Sequence, residues 1–317
     1  MAKYRADLPQ LSGATFLTDG GLETTLLFQR GIDLPLFASF PLLDDDRGRQ
    51  KLTEYYEAYL AIARERGLGF ILDTPTWRAS RDWGQQLGYD IDALRSLNRR
   101  SVTYIAGLRN LWAQPGSPIV LNGVLGPRGD GYKAGSMTAQ EAEAYHTFQM
   151  KAFALSEADM VSAVTMNNVE EAIGIARAAK AAGLPCVISF TVETDGRLAT
   201  GMGLKTAVET TDEVTGGSPV YYMVNCAHPS HFQDALARGE SWVDRIGGIR
   251  ANASTKSHAE LDEATELDMG DPADLGRRYD GLRRSHPSLR VIGGCCGTDH
   301  RHMLAICDAC LPLAAAE

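Results

Sequence analysis

Eight short apolar runs, separated by longer segments of helical character, make up most of this 317-residue sequence. Alternating strands and helices predict a parallel sheet, because a chain that returns to the same edge of a sheet needs a long crossover, usually a helix. Eight such units in a chain of this length favour a closed (β/α)8 barrel. A doubly wound open sheet is the alternative, but no G-x-G-x-x-G follows the first run. The runs are ATFLTD (14–19), LGFILD (68–73), PIVLN (118–122), DMVSAV (159–164), PCVISF (185–190), VYYMVN (220–225), RIGGIRAN (245–252) and RVIGG (290–294).

The segments between the runs have the composition and spacing of helices. Residues 49–67 and 138–158 are of helical character, and in 167–183 apolar residues recur with helical periodicity up to Gly183, a residue suited to a helix C-cap. No internal repeat, low-complexity tract or Pro/Ser-rich linker marks a domain boundary. We therefore predict a single (β/α)8 domain, with α/β architecture, over residues 1–317.

The overall charge excludes some classes of partner. A formal net charge of −9 argues against a nucleic-acid or anionic membrane surface. No apolar run is long enough to span a bilayer, and the start MAKYRADLPQLSG lacks the apolar core of a signal peptide. We expect a cytoplasmic protein that acts on small molecules. The sequence leaves open whether its copies form a homo-oligomer.

Three of the six cysteines directly follow predicted strands. Cys226 comes after the sixth run, and Cys295 and Cys296 come after the eighth. The carboxyl ends of barrel strands share one face, and one strand only lies between these two, so the three side chains can converge. Neighbouring residues on a regular strand point to opposite faces, so the backbone must leave strand geometry at the Cys295–Cys296 pair. The glycines at 293, 294 and 297 allow it to do so.

Three thiolates around one point predict a zinc site. Thiolates suit Zn²⁺ in tetrahedral geometry, and three protein ligands leave a fourth position open for substrate. Because three negative ligands neutralise the metal, such a site acidifies water poorly but holds a substrate thiol, whose free pKa is about 8.5, as thiolate. This favours S-methyl transfer over hydrolysis.

Further interpretations of the cysteines stay open. The three could line the barrel by coincidence, or they could form a closed structural zinc site with one of several further candidates. A redox pair of Cys295 and Cys296 is disfavoured, because a vicinal disulfide ring is strained. Cys307 and Cys310 lie in a predicted last helix, HMLAICDACLPL, where core packing is the favoured interpretation. The candidates for a closed site are Cys186, His228, His300 and His302.

Four stretches together resemble the homocysteine S-methyltransferase family, over about residues 10–310. The resemblance implies a zinc-containing (β/α)8 barrel in which Cys226, Cys295 and Cys296 bind Zn²⁺ and the metal binds the acceptor thiol. It also implies that Asp19, with the backbone of Gly20 and Gly21, holds the amino-acid end of the acceptor. The stretches are DGGLETTL (19–26), SFTVETDGRLATG (189–201), VNCAHP (224–229) and GGCCGT (293–298).

Two further positions join the predicted substrate site. Thr74 lies in DTPTWRAS (73–80), which is similar to the family's Thr-rich loop after the second strand. Asn225 precedes a predicted metal ligand and is expected to orient the site through hydrogen bonds. Asp19 could instead cap a helix that begins near Gly21. Arg78 and Arg250 could pair with a substrate carboxylate or form ion pairs within the barrel face.

The sequence departs from the family at the end of the fourth strand. An acidic residue that receives the acceptor's ammonium is expected there, and the register places Val164 at that position. Either the ammonium is held elsewhere or the acceptor is not homocysteine.

We predict a zinc-dependent S-methyltransferase that moves a methyl group from a small-molecule donor, such as an onium compound, to a thiol, with homocysteine giving methionine as the leading reaction. The chain has no room for further cofactor domains beyond the barrel, so a separate corrinoid protein is the second candidate for the methyl source. The acceptor could also be a different thiol, and the chain could instead be a zinc or thiol-redox protein without methyl transfer.

Overall fold

Each predicted run forms a strand in the computed structural model, which describes residues 1–236 and 239–311. The strands pair in parallel in sequence order, and β8 closes on β1 through Phe16↔Val291. This confirms the (β/α)8 barrel. The predicted domain also includes residues 237–238 and 312–317, which lie outside the described residues. The strands are β1 (Phe16–Leu17), β2 (Gly69–Asp73), β3 (Ile119–Leu125), β4 (Met160–Met166), β5 (Cys186–Phe190), β6 (Tyr221–Asn225), β7 (Ile246–Ala251) and β8 (Val291–Gly294).

Helices connect the strands on the outside of the barrel, and their ends follow local capping chemistry. The helix predicted at 49–67 begins earlier, at Asp46, because the Asp45 side chain accepts a hydrogen bond from the Gly48 backbone. The helices are α1 (Leu22–Thr24), α2 (Asp46–Glu65), α3 (Arg81–Gln86), α4 (Ile91–Trp112), α5 (Ala139–Ala154), α6 (Val169–Ala181), α7 (Leu204–Thr215), α8 (Pro229–Leu236), α9 (His258–Asp262), α10 (Pro272–Ser285) and α11 (His300–Cys310).

The two other predicted helices form α5 and α6. A capping box of Thr138 and Glu141 begins α5, and Gly183 follows α6 with φ +67°, as expected of a C-terminal glycine. None of the described helices is long and apolar enough to cross a membrane.

Side chains alternate between two apolar layers along each strand. In β1, Phe16 packs inside the barrel and Leu17 packs outward against the helices; in β2, Ile71 points inward between outward-facing Phe70 and Leu72. Both faces of a barrel strand are therefore buried, which explains why the strands are continuous apolar runs in the sequence.

The N-terminal segment closes the bottom of the barrel. The buried carboxylate of Asp159 accepts hydrogen bonds from the backbone N–H groups of Lys3 and Tyr4, both at 2.7 Å, and of Leu121 at 2.9 Å. It also pairs with Arg109 at 3.3 Å. Asp159 thus connects the segment before β1 to the floor of the barrel, while the strand ends at the opposite face are free to form a site.

We expect Asp159→Ala to lower the free energy of unfolding by about 3 kcal/mol, because it leaves buried N–H groups and a guanidinium without their acceptor. Urea denaturation would measure this. Asp46→Ala, which removes a fully exposed carboxylate paired with Arg49, is the matched control and should leave the unfolding midpoint unchanged. An unaltered midpoint in Asp159→Ala would contradict this role.

Candidate metal centre and cavity

A cavity of about 380 Å³ opens at the carboxyl ends of the strands. Active sites of (β/α)8 barrels lie at this face, which is built from the loops that follow the strands. All eight residues that the sequence singles out for the site line this one cavity: Asp19, Gly20, Gly21, Thr74, Asn225, Cys226, Cys295 and Cys296. The fold thus brings together residues up to 277 positions apart (296 − 19), although contact with the cavity does not itself assign a role to each.

The sulfur atoms of Cys226, Cys295 and Cys296 all lie within 4.8 Å of one another. Cys226 reaches this point because its backbone adopts φ +54°, a left-handed conformation that is unusual for a non-glycine residue. A hydrogen bond from its N–H to the Arg250 carbonyl, at 3.0 Å, holds that conformation. Such strain is characteristic of functional positions.

The adjacent cysteines face the same point because a tight turn follows β8. The Thr298 N–H donates to the Cys295 carbonyl at 3.1 Å, and Gly297 takes the left-handed position with φ +77°. The departure from strand geometry expected at these cysteines is therefore present, and the glycine in the turn permits it.

The loop after β1 packs directly on the loop that carries the cysteine pair. A Cβ atom on Gly21 would lie 2.7 Å from the Cys295 carbonyl oxygen, and one on Gly293 would lie 3.2 Å from the Asp19 carbonyl oxygen and closer still to the Thr18 side chain. The Gly21 N–H donates to the Thr298 carbonyl at 3.0 Å. The DGG and GGCC stretches therefore need glycine because their backbones touch.

Asn225 connects three strand ends to one of the cysteines. Its side-chain carbonyl accepts from the Thr165 N–H at 2.8 Å and from the Ser189 hydroxyl at 2.7 Å. Its amide donates to the Thr165 hydroxyl at 3.0 Å and lies 3.7 Å from the Cys295 sulfur. Every polar atom of the Asn225 side chain is thus engaged within the protein, which suits an orienting role.

Tyr132 is a site residue that the sequence analysis missed. Its hydroxyl lies 3.1 Å from the Cys226 sulfur and 3.8 Å from the Cys296 sulfur. The ring stacks on His258 with centroids 4.0 Å apart, and His258 also bonds to the Cys226 carbonyl at 2.9 Å. The loop RGDGYKAG after β3 carries no motif that would have identified it.

Each of the three thiols shifts the pKa values of the others, because they are buried close together. Hydrogen bonds from Cys295 and Cys296 lower the pKa of Cys226, and the interaction with Cys226 raises the pKa of Cys295 to about 12. The same interaction raises the pKa of Cys296. Three thiolates at this spacing would repel one another, so a cation is needed to hold all three.

Cys226, Cys295 and Cys296 fit a metal ion by geometry and by chemistry. Tetrahedral coordination with metal–sulfur bonds of about 2.3 Å places sulfur atoms about 3.8 Å apart, within the 4.8 Å limit of this cluster. No other group of potential ligands of this kind occurs in residues 1–236 and 239–311, and none of the histidines there joins the three cysteines.

A buried ion-pair network forms the rim of the barrel beneath the cavity. Arg250, on β7, pairs with Asp19 after β1 and with Asp73 at the end of β2. Burial acts to lower the pKa of Arg250, but the two carboxylates raise it above the ordinary value. For Asp19, burial acts to raise the pKa, and the Arg250 guanidinium acts to lower it and favours the carboxylate. Of the two roles open for Arg250, the structure shows the ion pair within the barrel.

Asp19 is not a helix cap, because α1 begins after Gly21 without a side-chain cap. Its carboxylate instead accepts from Arg250 and from the Tyr55 hydroxyl, the latter at 3.2 Å. Thr74 is similarly engaged: its hydroxyl bonds to the Thr76 hydroxyl at 2.6 Å and accepts from the Val124 N–H at 2.9 Å. Both side chains therefore shape the cavity wall.

Val164 lines the cavity with a buried apolar side chain, at the place where the sequence register puts it. Arg78 lies over the ring of Trp77, 4.8 Å from its centroid.

Cys307 and Cys310 lie on α11, pack against the core as expected and take no part in the cavity. The last two residues of the predicted final helix, 312–313, fall outside the described residues.

Comparisons with known proteins agree with the fold and identify a family. The sequence model of the family described as Homocysteine S-methyltransferase matches residues 16–310. Crystal structures of the homocysteine methyltransferase MmuM from Escherichia coli share the fold. The oxidized form has a TM-score of 0.72 at 19% identity, covering 93% of this chain and 95% of the other. The metallated form has a TM-score of 0.71 at 20% identity, covering 93% and 96%. No curated protein sequence matches the chain.

We expect the purified protein to hold about one metal ion per chain and Cys226→Ala to lose most of it, because two sulfur ligands hold a metal far more weakly than three. Elemental analysis by mass spectrometry after gel filtration measures the content. Cys310→Ala, which removes a thiol remote from the cavity, is the control and should keep the full content. Full occupancy in Cys226→Ala would contradict the assignment.

Proposed function

The chain belongs to the homocysteine S-methyltransferase family, and we propose that it is a zinc-dependent enzyme that transfers a methyl group from a small-molecule donor to a thiol, with homocysteine as the leading acceptor. The observation that carries this proposal is the convergence of three cysteine sulfur atoms at one cavity. A structural zinc site is ordinarily closed by four protein ligands, whereas three leave a position for substrate.

The ligands of the zinc in this proposal are Cys226, Cys295 and Cys296. When bound, zinc would supply an electron-rich centre that keeps a thiol deprotonated at neutral pH. The existence of a metallated crystal form of the Escherichia coli relative, which has the same fold, supports a metal in this protein. The chain's own contribution is to orient the sulfur ligands, through the Asn225 amide near Cys295 and the Tyr132 hydroxyl near Cys226.

The reaction we propose is a direct displacement at the methyl carbon. The acceptor sulfur forms a bond to that carbon while the bond from the carbon to the donor heteroatom breaks, and the electron pair leaves with the donor. No general base is required once the acceptor is a thiolate. The cavity, at about 380 Å³, has the volume of a small-molecule site.

The residues that the sequence predicts at the substrate site, Asp19, Gly20, Gly21, Thr74 and Asn225, all line the cavity, and Gly20, Gly21 and Thr74 are proposed to contact substrate. Since the polar atoms of Asn225 and the carboxylate of Asp19 are already bonded within the protein, we assign both a positioning role. The donor is proposed to be an onium compound. An onium group could bind over an aromatic ring, but the Trp77 ring in the cavity lining is already covered by the Arg78 guanidinium.

A matrix of thiol acceptors and methyl donors, analysed by mass spectrometry, tests the proposed activity. We expect a methylated thiol only when acceptor, donor and metal-loaded enzyme are all present. Cys295→Ala should lower the rate by at least about 1,000-fold, because without its zinc ligand the enzyme no longer converts the substrate thiol into a thiolate. Cys310→Ala should keep the wild-type rate. A reversible disulfide with no methyl transfer from any donor would instead favour a redox protein.

X-ray absorption at the zinc K-edge tests how the acceptor binds. The spectrum should gain one sulfur neighbour at about 2.3 Å when the acceptor is added without donor. The methylated product, a weaker thioether ligand, should not produce this change. A spectrum that stays the same at a saturating acceptor concentration, in an enzyme that turns over, would contradict the proposed activation of the thiol.

A further inference from the structure

Most charged groups at the floor of the cavity are neutralised within the protein. Arg250 is shared between Asp19 and Asp73, and Val164 provides no charge where the family resemblance predicts a carboxylate. A homocysteine acceptor carries an ammonium and a carboxylate, and both need partners in a partly enclosed site. If the proposed function is right, these partners must come from elsewhere in the cavity lining.

Glu23 is an acidic residue of the lining whose cationic neighbour, Arg78, lies beyond ion-pair distance. It lies on α1, directly after the DGG stretch, and its carboxylate accepts a hydrogen bond from the Ser39 hydroxyl at 2.7 Å. Among the residues that the structure describes, no lysine, arginine or histidine forms an ion pair with it. Burial raises the pKa of Glu23, whereas the Ser39 hydrogen bond and the Arg78 guanidinium act to lower it. Glu23 lies two residues after Gly21, which packs on the Cys295 carbonyl, so its carboxyl group is in the loop that touches the cysteine pair.

Arg78 is the complementary cation in the same lining. Its guanidinium stacks on Trp83 at 4.1 Å and on Trp77 at 4.8 Å, and one nitrogen donates to the Leu36 carbonyl. Over the described ranges, no carboxylate lies within ion-pair distance of it. The aromatic rings hold the guanidinium in place, and its other N–H groups can form the two-pronged bond that a carboxylate accepts.

We propose that Glu23 binds the ammonium group of the acceptor and that Arg78 binds its carboxylate, so that the cavity recognises an amino-acid thiol through the loops after β1 and β2. The proposal rests on the proposed function, because it takes the acceptor sulfur to lie at the cysteine cluster. It accounts for Val164: the negative charge has moved from the end of β4 to the loop after β1. Tyr56, whose buried hydroxyl has no partner in the described part of the chain, lines the same cavity and is a further donor for the head group.

The other acidic residues of the lining are less suited to this role. Asp130 accepts from the Tyr132 N–H at 2.8 Å, and Asp268 bonds to Ser254 at 2.7 Å. Asp262 and Glu266 are at least partly exposed to solvent at the rim, where water and salt screen an ion pair. Glu23 is less exposed than Asp262 and Glu266, and among the described residues its carboxylate accepts a side-chain hydrogen bond only from the Ser39 hydroxyl.

Calorimetric titration of the metal-loaded protein with three thiols, in the absence of a methyl donor, tests the assignment. The thiols are L-homocysteine, 3-aminopropane-1-thiol, which lacks the carboxylate, and 4-mercaptobutanoate, which lacks the ammonium. Glu23→Gln keeps the shape and the acceptor for Ser39 but removes the charge. It should raise Kd for the two amine-bearing thiols by about 10- to 100-fold and leave Kd for 4-mercaptobutanoate within about twofold.

Arg78→Gln should instead raise Kd for the two carboxylate-bearing thiols, homocysteine and 4-mercaptobutanoate, and leave Kd for 3-aminopropane-1-thiol unchanged. Glu266→Gln, at the rim, is the matched control and should change none of the three. The metal content of each variant is measured in parallel. If Glu23→Gln weakened the binding of all three thiols equally, Glu23 would have a structural role and the proposal would be overturned. An unchanged Kd for every thiol would also overturn it.

The titration also separates this proposal from the proposed function. Wild-type protein that binds the three thiols with the expected pattern, yet transfers no methyl group from any donor, would refute methyl transfer and support the head-group assignment. Methyl transfer to homocysteine by Glu23→Gln with an unchanged KM would refute the assignment and leave the proposed function standing. A raised KM for a cationic donor alone would place Glu23 at the donor and also overturn the assignment.

Discussion

A buried cation between two carboxylates holds the functional face of this barrel in shape. Arg250 projects from β7 and pairs with Asp19 beyond β1 and with Asp73 at the end of β2. Its Nε atom also donates to the Gly294 carbonyl at 3.3 Å, one residue before the cysteine pair. Removing either side of such a network leaves an uncompensated charge in a region of low dielectric constant. Four strand ends therefore keep fixed positions around the cysteines.

The cysteine cluster depends on close backbone contact as much as on its sulfur atoms. Gly21 and Gly293 let the ends of the first and last strands touch, and the Cys226 backbone adopts an unfavourable conformation that lets its sulfur face the other two. Asn225 and Tyr132 then place polar groups against the sulfur atoms. Most of these contacts join residues that are far apart in the chain, so the site forms only when the barrel closes.

The proposed sites of thiol activation and of substrate recognition lie on different loops. The cysteines follow β6 and β8, whereas Glu23 and Arg78, proposed to hold the acceptor, follow β1 and β2. Loops on a rigid barrel can change independently, so a family can keep its reacting centre while the residues that hold the substrate shift between strands. Val164 beside an intact cysteine cluster is consistent with such a shift.

The sequence by itself determined the barrel and the three cysteines, because both depend on local signals: continuous apolar runs, helical spacing, and residues placed directly after a strand. It also located Asp19, Gly20, Gly21, Thr74 and Asn225 at the cavity. Only the tertiary structure decided how the charges are partnered, since Arg250, Asp73 and Asp19 lie on different strands and any of them could have faced substrate. Sequence analysis missed Tyr132 and Glu23 for the same reason, because contacts between side chains on different loops of a closed barrel produce no periodic pattern in the sequence.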